Sequence, residues 1–367
     1  MERVAHPSQV RLAELVASLS LATDLGLGQP MEHILRSCVL GLRIAEDVGL
    51  DESERAVVYY VALLAWLGCH ADSHEQAAWF GDDIAVREGS HTVDAVGLPM
   101  ATFVLSHVGR GESPWRRARL LGSVVGSGGR VVAAMEMTHC VIAGQFAMRL
   151  GLGPDVRDCL QQVFERWDGK GTPAKLKGER IALPARIVVL ADILEVFRRL
   201  GGIEAAVEVA GRRAGGQFDP GLAEHVCDNA EALFGGIDEA TGWEAVVADE
   251  PALAAQLSGV DLDAALEEVA DFADLKSPWI RGHSRRVASL AEEAGRHAGL
   301  DDAACDDLRR AGLVHDLGRV AVENGIWDKP GPLTTSEWER VRLHVYYTER
   351  ILVRCPSLAS VAAPAWS

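Results

Sequence analysis

Basic residues are scarce in this chain: 36 Lys and Arg stand against 53 Asp and Glu, a formal net charge of −17. Nucleic acid demands a basic footprint, so no direct nucleic-acid binding is expected. A small phosphorylated ligand is not excluded, because a local metal ion outweighs a distant field. Paired cysteines are missing too. The seven cysteines, at 38, 69, 140, 159, 227, 305 and 355, form no CxxC, which argues against a disulfide framework or zinc knuckle. Long hydrophobic runs are lacking as well. Val57–Cys69, thirteen residues, suits a buried helix and is too short for a bilayer. The opening MERVAHPSQVRLAELV carries charges where a secretory segment has none. These absences predict a cytoplasmic protein without membrane association.

What is present is helical periodicity, in a chain of 367 residues that is comfortable for two domains. His283, Val287, Leu290, Ala294 and Ala298 predict one apolar helix face. Leu308, Gly312 and His315 continue the pattern on a second helix, and Val341, His344 and Thr348 on a third. Three histidines thus sit on core-facing stripes of separate helices, which packing can bring to one point.

One constant offset superposes His33 on His283 without a gap, carrying HILRSCVLGLRIAEDVGLDESERAVVYYVALLAWLG onto HSRRVASLAEEAGRHAGLDDAACDDLRRAGLVHDLG. Gly49-Leu50-Asp51 then falls on Gly299-Leu300-Asp301 and Leu67-Gly68 on Leu317-Gly318, while Ala65-Trp66 replaces His315-Asp316. A unit is written twice and its charged pair is erased once. The expected organisation is a first copy over 1–235 with an insertion near 73–130, an acidic helical connector over 236–274, and the front half of a second copy over 275–367.

Neutral imidazole and carboxylate are ligands for Mn, Fe, Mg or Zn. An isolated His-Asp dipeptide carries little weight, but His315-Asp316 joined to His283 and His344 makes a specific ligand set. A dinuclear site lowers the pKa of a bridging water and clamps a phosphoryl oxygen.

These stretches resemble the HD-GYP branch of the HD metal-dependent phosphohydrolases. DLKSPWIRGHSRRVASLA, HDLGRV and IWDKPGPLTTSEWERVRLHVYYTERIL are similar to its front half. FERWDGKGTPAKLKGERIALPARIVVLADILEVF and GGQFDP, in the first copy, are similar to its back half. The resemblance implies an all-α fold of tandem HD-domain-like helical bundles, the second incomplete. It also implies a divalent metal site (two ions in the family, fewer here) and hydrolysis of cyclic di-GMP, another cyclic dinucleotide or a related phosphoester. His283, His315, Asp316 and His344 match metal ligands, with Asp316 and Arg319 as catalytic residues. Arg319 stands where the family usually has a lysine near the substrate phosphate. Thr334 or Thr335 is expected to cap the helix that follows.

The departures are as informative. Val163 and Phe164 stand where the family has two adjacent histidines. The spacing from His139 to Val163, applied to His344, runs one position past Ser367, so a truncated chain with weak or no turnover is expected. His33, His139 and Asp192 remain in the first copy, with His70 and Asp72 close to the erased pair. They are read as relics, against the alternative of a remodelled site in which His70 or Asp72 substitutes. The competing function is a non-catalytic signalling or transcription-regulator module, in which the degenerate copy binds a ligand, a signalling protein or a second copy of the chain.

Overall fold

The protein is described here by a computed structural model covering residues 9–110, 113–126, 130–237, 242–251, 255–358 and 361. Among these residues the only sheet pairs β1 (Val10–Arg11) antiparallel with β2 (Gln256–Leu257). Everything else of regular form is helical, as the sequence predicts.

Each strand leads into a helix, α1 (Leu12–Gly26) after β1, and further along the chain the same order of elements recurs. α2 (His33–Asp47) and α3 (Glu52–Leu64) follow, then a single 3-10 turn, Leu67–His70. Four helices come next: α4 (Ser73–Phe80), α5 (Asp83–Ser90), α6 (Gly97–His107) and α7 (Pro114–Gly126). They occupy the stretch expected to be inserted, and neither α6 nor α7 buries a residue fully. α8 (Arg130–Arg149), α9 (Gly153–Leu160), α10 (Leu183–Arg213, kinked at Gly201–Gly202), α11 (Pro220–Phe234) and α12 (Gly242–Ala248) complete the first part. α8 is long and apolar enough to cross a bilayer, yet its second half turns His139, Cys140, Ala143 and Phe146 into the core. After β2 come α13 (Gly259–Asp274), α14 (His283–His297), α15 (Asp302–Val314), the turn Leu317–Ala321, α16 (Asn324–Trp327) and α17 (Thr335–Leu352).

Local chemistry explains the shared pattern. Asp51 and Asp301 each accept from the backbone N–H three residues on, at 2.9 Å, and so start α3 and α15. Of the two threonines before α17, Thr334 is the cap: it accepts from Glu337 N while the Glu337 carboxylate takes up Thr334 N. Gly68 packs on the backbone of His139, and Gly318 on that of His344, so closely that a Cβ at either would strike a carbonyl oxygen.

Two expectations change. The acidic stretch 236–274 is not merely a connector, because α13 buries Leu262, Leu266, Val269 and Phe272 against α14 and α15. Its place in the second part matches that of α1 in the first. The buried face of α14 is Ser284, Ala288 and Gly295, and Leu290 is 65% exposed. Small residues set that face because α15 crosses close by: a Cβ at Gly312 would come within 2.6 Å of Ala288 Cα. The end of α17 is packed as well. Ile351, Leu352, Cys355, Leu358 and Val361 join one apolar cluster that runs back to Val10 through both parts.

Candidate metal and phosphate site

α14, the end of α15 and α17 converge on the carboxylate of Asp316, which is buried at 4% exposure. His283 Nε2 and His315 Nε2 each lie 3.7 Å from Asp316 Oδ2, and His344 Nε2 lies 3.6 Å from Oδ1. These separations are too long for hydrogen bonds. Three imidazole nitrogens therefore face one carboxylate across a gap. One ligand atom from each of His283, His315 and Asp316 falls within 4.8 Å of the others.

The ring orientations suit metal binding. His315 Nδ1 donates to Gly312 O at 2.9 Å and His344 Nδ1 to Val341 O at 2.5 Å. A carbonyl only accepts, so Nδ1 carries a proton, and in the neutral ring the lone pair is then on Nε2, the nitrogen that faces Asp316. His283, His315 and Asp316 offer a donor set that fits a divalent ion such as Mn, Fe or Mg, while His344 stands outside that group and faces the other carboxylate oxygen. Beside it, Arg319 Nη1 lies 3.5 Å from Asp316 Oδ2, and the guanidinium sits 3.7 Å over the ring of Trp327. Burial lowers the Arg319 pKa and the Asp316 charge opposes that, so the guanidinium stays a cation.

The corresponding place in the first part is closed. His33 Nδ1 bonds Glu195 and Nε2 lies 3.2 Å from Asp192 Oδ1. Burial alone would depress this imidazole, but hydrogen bonds to Asp192 and Glu195 raise its pKa to about 10. Burial raises the Glu195 carboxyl, and His33 and Arg36 outweigh it to give about 2. A buried imidazolium thus supplies positive charge between two carboxylates. Trp66, at the position of the erased aspartate, donates Nε1–H to Asp192 at 2.7 Å. Phe164 packs its ring on Trp66 at 5.6 Å and on His139 at 5.9 Å.

His70 is not at this place. It is fully buried with its ring on Phe272, its Nε2 has no hydrogen-bond partner, and it fills the space that Gly26 leaves. Burial holds its pKa well below the usual value, so it is neutral. Asp72 faces His139, 3.1 Å from its Nε2, and does not reach His33. The idea that His70 or Asp72 replaces the lost ligands is therefore corrected: one is walled off in the core and the other holds a separate ion pair. Spacing also missed two histidines. His91 packs edge-on to His33 at 6.2 Å, and His74 Nδ1 lies 2.8 Å from Asp328. Their partners are distant in sequence, and periodicity carries no signal of that.

A helical fold that gathers His, His-Asp and His from successive helices defines the class to which this chain is to be compared. The HD domain family matches residues 139–221 and 267–367, together half of the chain. Over 357 residues, 96% of the chain and 77% of the relative, it is 32% identical to the 3'3'-cGAMP-specific phosphodiesterase 3 of Vibrio cholerae. A shorter stretch of 79 residues, 22% of this chain and 19% of the relative, is 35% identical to a cyclic di-GMP phosphodiesterase of Pseudomonas aeruginosa. The crystal structure of a cyclic GMP-AMP specific phosphodiesterase of Vibrio cholerae matches with a TM-score of 0.70 at 28% identity, covering 97% of this chain and 87% of that one. The chain belongs to the HD domain family.

Proposed function

We propose that this protein is a metal-dependent phosphodiesterase that hydrolyses a cyclic dinucleotide, 3'3'-cGAMP or cyclic di-GMP, at the site formed by His283, His315, Asp316 and His344. The observation that carries the reading is the set of three imidazole Nε2 atoms at 3.6–3.7 Å from one buried carboxylate. A divalent ion held there polarises a phosphoryl oxygen and acidifies bound water. Around it the chain's own groups divide the work. Asp316 supplies the negative ligand, His315 and His344 are oriented through their Nδ1–H groups, and Arg319 offers a fixed guanidinium to a phosphate oxygen. Trp327 stacks beneath Arg319 and holds its plane.

On this reading the first copy, residues 1–235, is degenerate: the His33 ion pair with Asp192 and Glu195, and the indole of Trp66 on Asp192, stand in place of metal ligands. Four protein donors suit one ion; a second needs more. Slow turnover is the corresponding expectation. None of the seven cysteines is in a disulfide, which supports a cytoplasmic setting. The test is turnover of both dinucleotides with added Mn(II) or Fe(II), against His315→Ala with Asp316→Ala. Loss of about a thousandfold or more supports the site. Equal turnover by the two proteins places the chemistry elsewhere, and no turnover by either rejects the substrate class.

A further inference from the structure

α16 is a single turn, and its apolar contacts form a small cluster of Val322, Ile326 and Val341 with Trp327 and Leu333, separate from the main core. Its placement rests on polar contacts at both ends. At the start, Asn324 N–H donates to Asp83 Oδ1 at 2.7 Å, and Asn324 Nδ2 donates to Lys276 O at 2.6 Å. At the end, Asp328 accepts from Ser277 Oγ at 2.8 Å and lies 2.8 Å from His74 Nδ1. Asp83 and His74 both belong to the inserted helices α4 and α5 and their flanks, on the first part of the chain.

Asp83 has no exposed surface and is also held by Lys276 Nζ at 2.9 Å and Arg87 Nη1 at 3.0 Å. Burial pushes this carboxyl up, and the two cations outweigh it, bringing its pKa to about 2. From α16, Trp327 reaches the site. Its ring carries Arg319 at 3.7 Å, its Nε1–H donates to Arg319 O at 3.2 Å, and it stands edge-on to His344 at 5.7 Å.

We infer that Asp83 is a positioning residue for the second site, acting through Asn324, α16 and Trp327 on Arg319. The inference rests on the proposed hydrolysis at that site. It means that the inserted helices of the non-catalytic copy form part of the wall that orients the phosphate-facing cation.

Two variants test it, both on the full chain. Asp83→Asn is the simpler; Asp83→Ala with Lys276→Met also removes the lysine charge that would be left unpaired in the core. Hydrogen exchange at 319–327 is expected to quicken in either, with α14 and α15 still protected. Unchanged exchange there overturns the inference whatever the activity. With a turned-over dinucleotide, kcat/KM is expected to fall about tenfold, mainly through KM. In an Arg319→Lys background, where the stack on Trp327 is already lost, the same Asp83 change is expected to alter kcat/KM less than about twofold. An equal loss in both backgrounds means that Asp83 acts on stability alone and also overturns the inference. If the unaltered protein turns over neither dinucleotide, the functional reading fails and the exchange measurement alone decides the positioning role.

Discussion

Trp66 and Asp192 are joined by an indole N–H to carboxylate bond of 2.7 Å, at a position that the gapless internal offset aligns with Asp316. Substituting Trp66→Asp removes the donor and the ring packed on Phe164, and sets a further carboxylate near Asp192. We expect a loss of about 3–5 kcal/mol in urea unfolding, and about 1–3 kcal/mol for Trp66→Phe, which keeps a ring. Added Mn(II) should not restore Trp66→Asp, because Val163 and Phe164 offer no ligand atoms. Recovery with Mn(II) would reveal a latent metal site around Asp192.

The His33 ion pair makes a pH prediction. A histidine whose folded pKa is raised from 6.5 to about 10 stabilises fully below 6.5, and loses that contribution as pH climbs to about 10. Glu195, lowered from 4.5 to about 2, contributes above 4.5 and loses its share as pH falls toward 2. The stability difference between wild type and His33→Gln should thus be greatest between about pH 4.5 and 6.5, at about 3–5 kcal/mol for a broken buried pair. It should shrink on either side. A difference that is flat from pH 5 to 10 contradicts a charged His33.

Gly68 and Gly318 allow a paired comparison. An added methyl at either collides with backbone, of His139 or His344 respectively, and should cost about 1–3 kcal/mol. Only Gly318→Ala displaces a proposed ligand. Metal content after dialysis should therefore fall in Gly318→Ala and hold in Gly68→Ala, measured beside the unfolding curves.

Metal content itself should follow the proposed ligands. Purified wild-type protein loaded with Mn(II) should retain it, while His283→Ala and Asp316→Ala should each weaken binding by at least about tenfold. His33→Ala and Asp192→Ala should leave occupancy unchanged. Titration by calorimetry separates the two groups, and equal loss in all four variants would remove the assignment.

Much of this arrangement was legible in the sequence because helix periodicity and a gapless internal offset are local signals. His283, His315, Asp316 and His344 could be grouped from motif and spacing alone. The buried face of α14 could not, since Leu290 outranks Ser284 and Ala288 in hydrophobicity while a close helix crossing selects the smaller residues. α13 looked like a linker because its acidic, alanine-rich composition hides the stripe Leu262, Leu266 and Val269. Asp83 and Lys276 gave no sign at all. Their pairing joins residues far apart in sequence, and a buried ion pair has the same composition as a solvated one.

The apolar cluster that links Val10 to Val361 among the described residues has a consequence for any attempt to divide the chain. Two parts whose cores stay separate can be cut apart and studied singly. Here Tyr59 and Leu63 of the first part belong to the same interior as Val314 and Ile351 of the second, so a cut between them would bare apolar surface on both sides. A change at Ala65 or Trp66 alters chemistry at one point, whereas removal of the first part takes away a wall of the interior that carries Asp316 and its histidines.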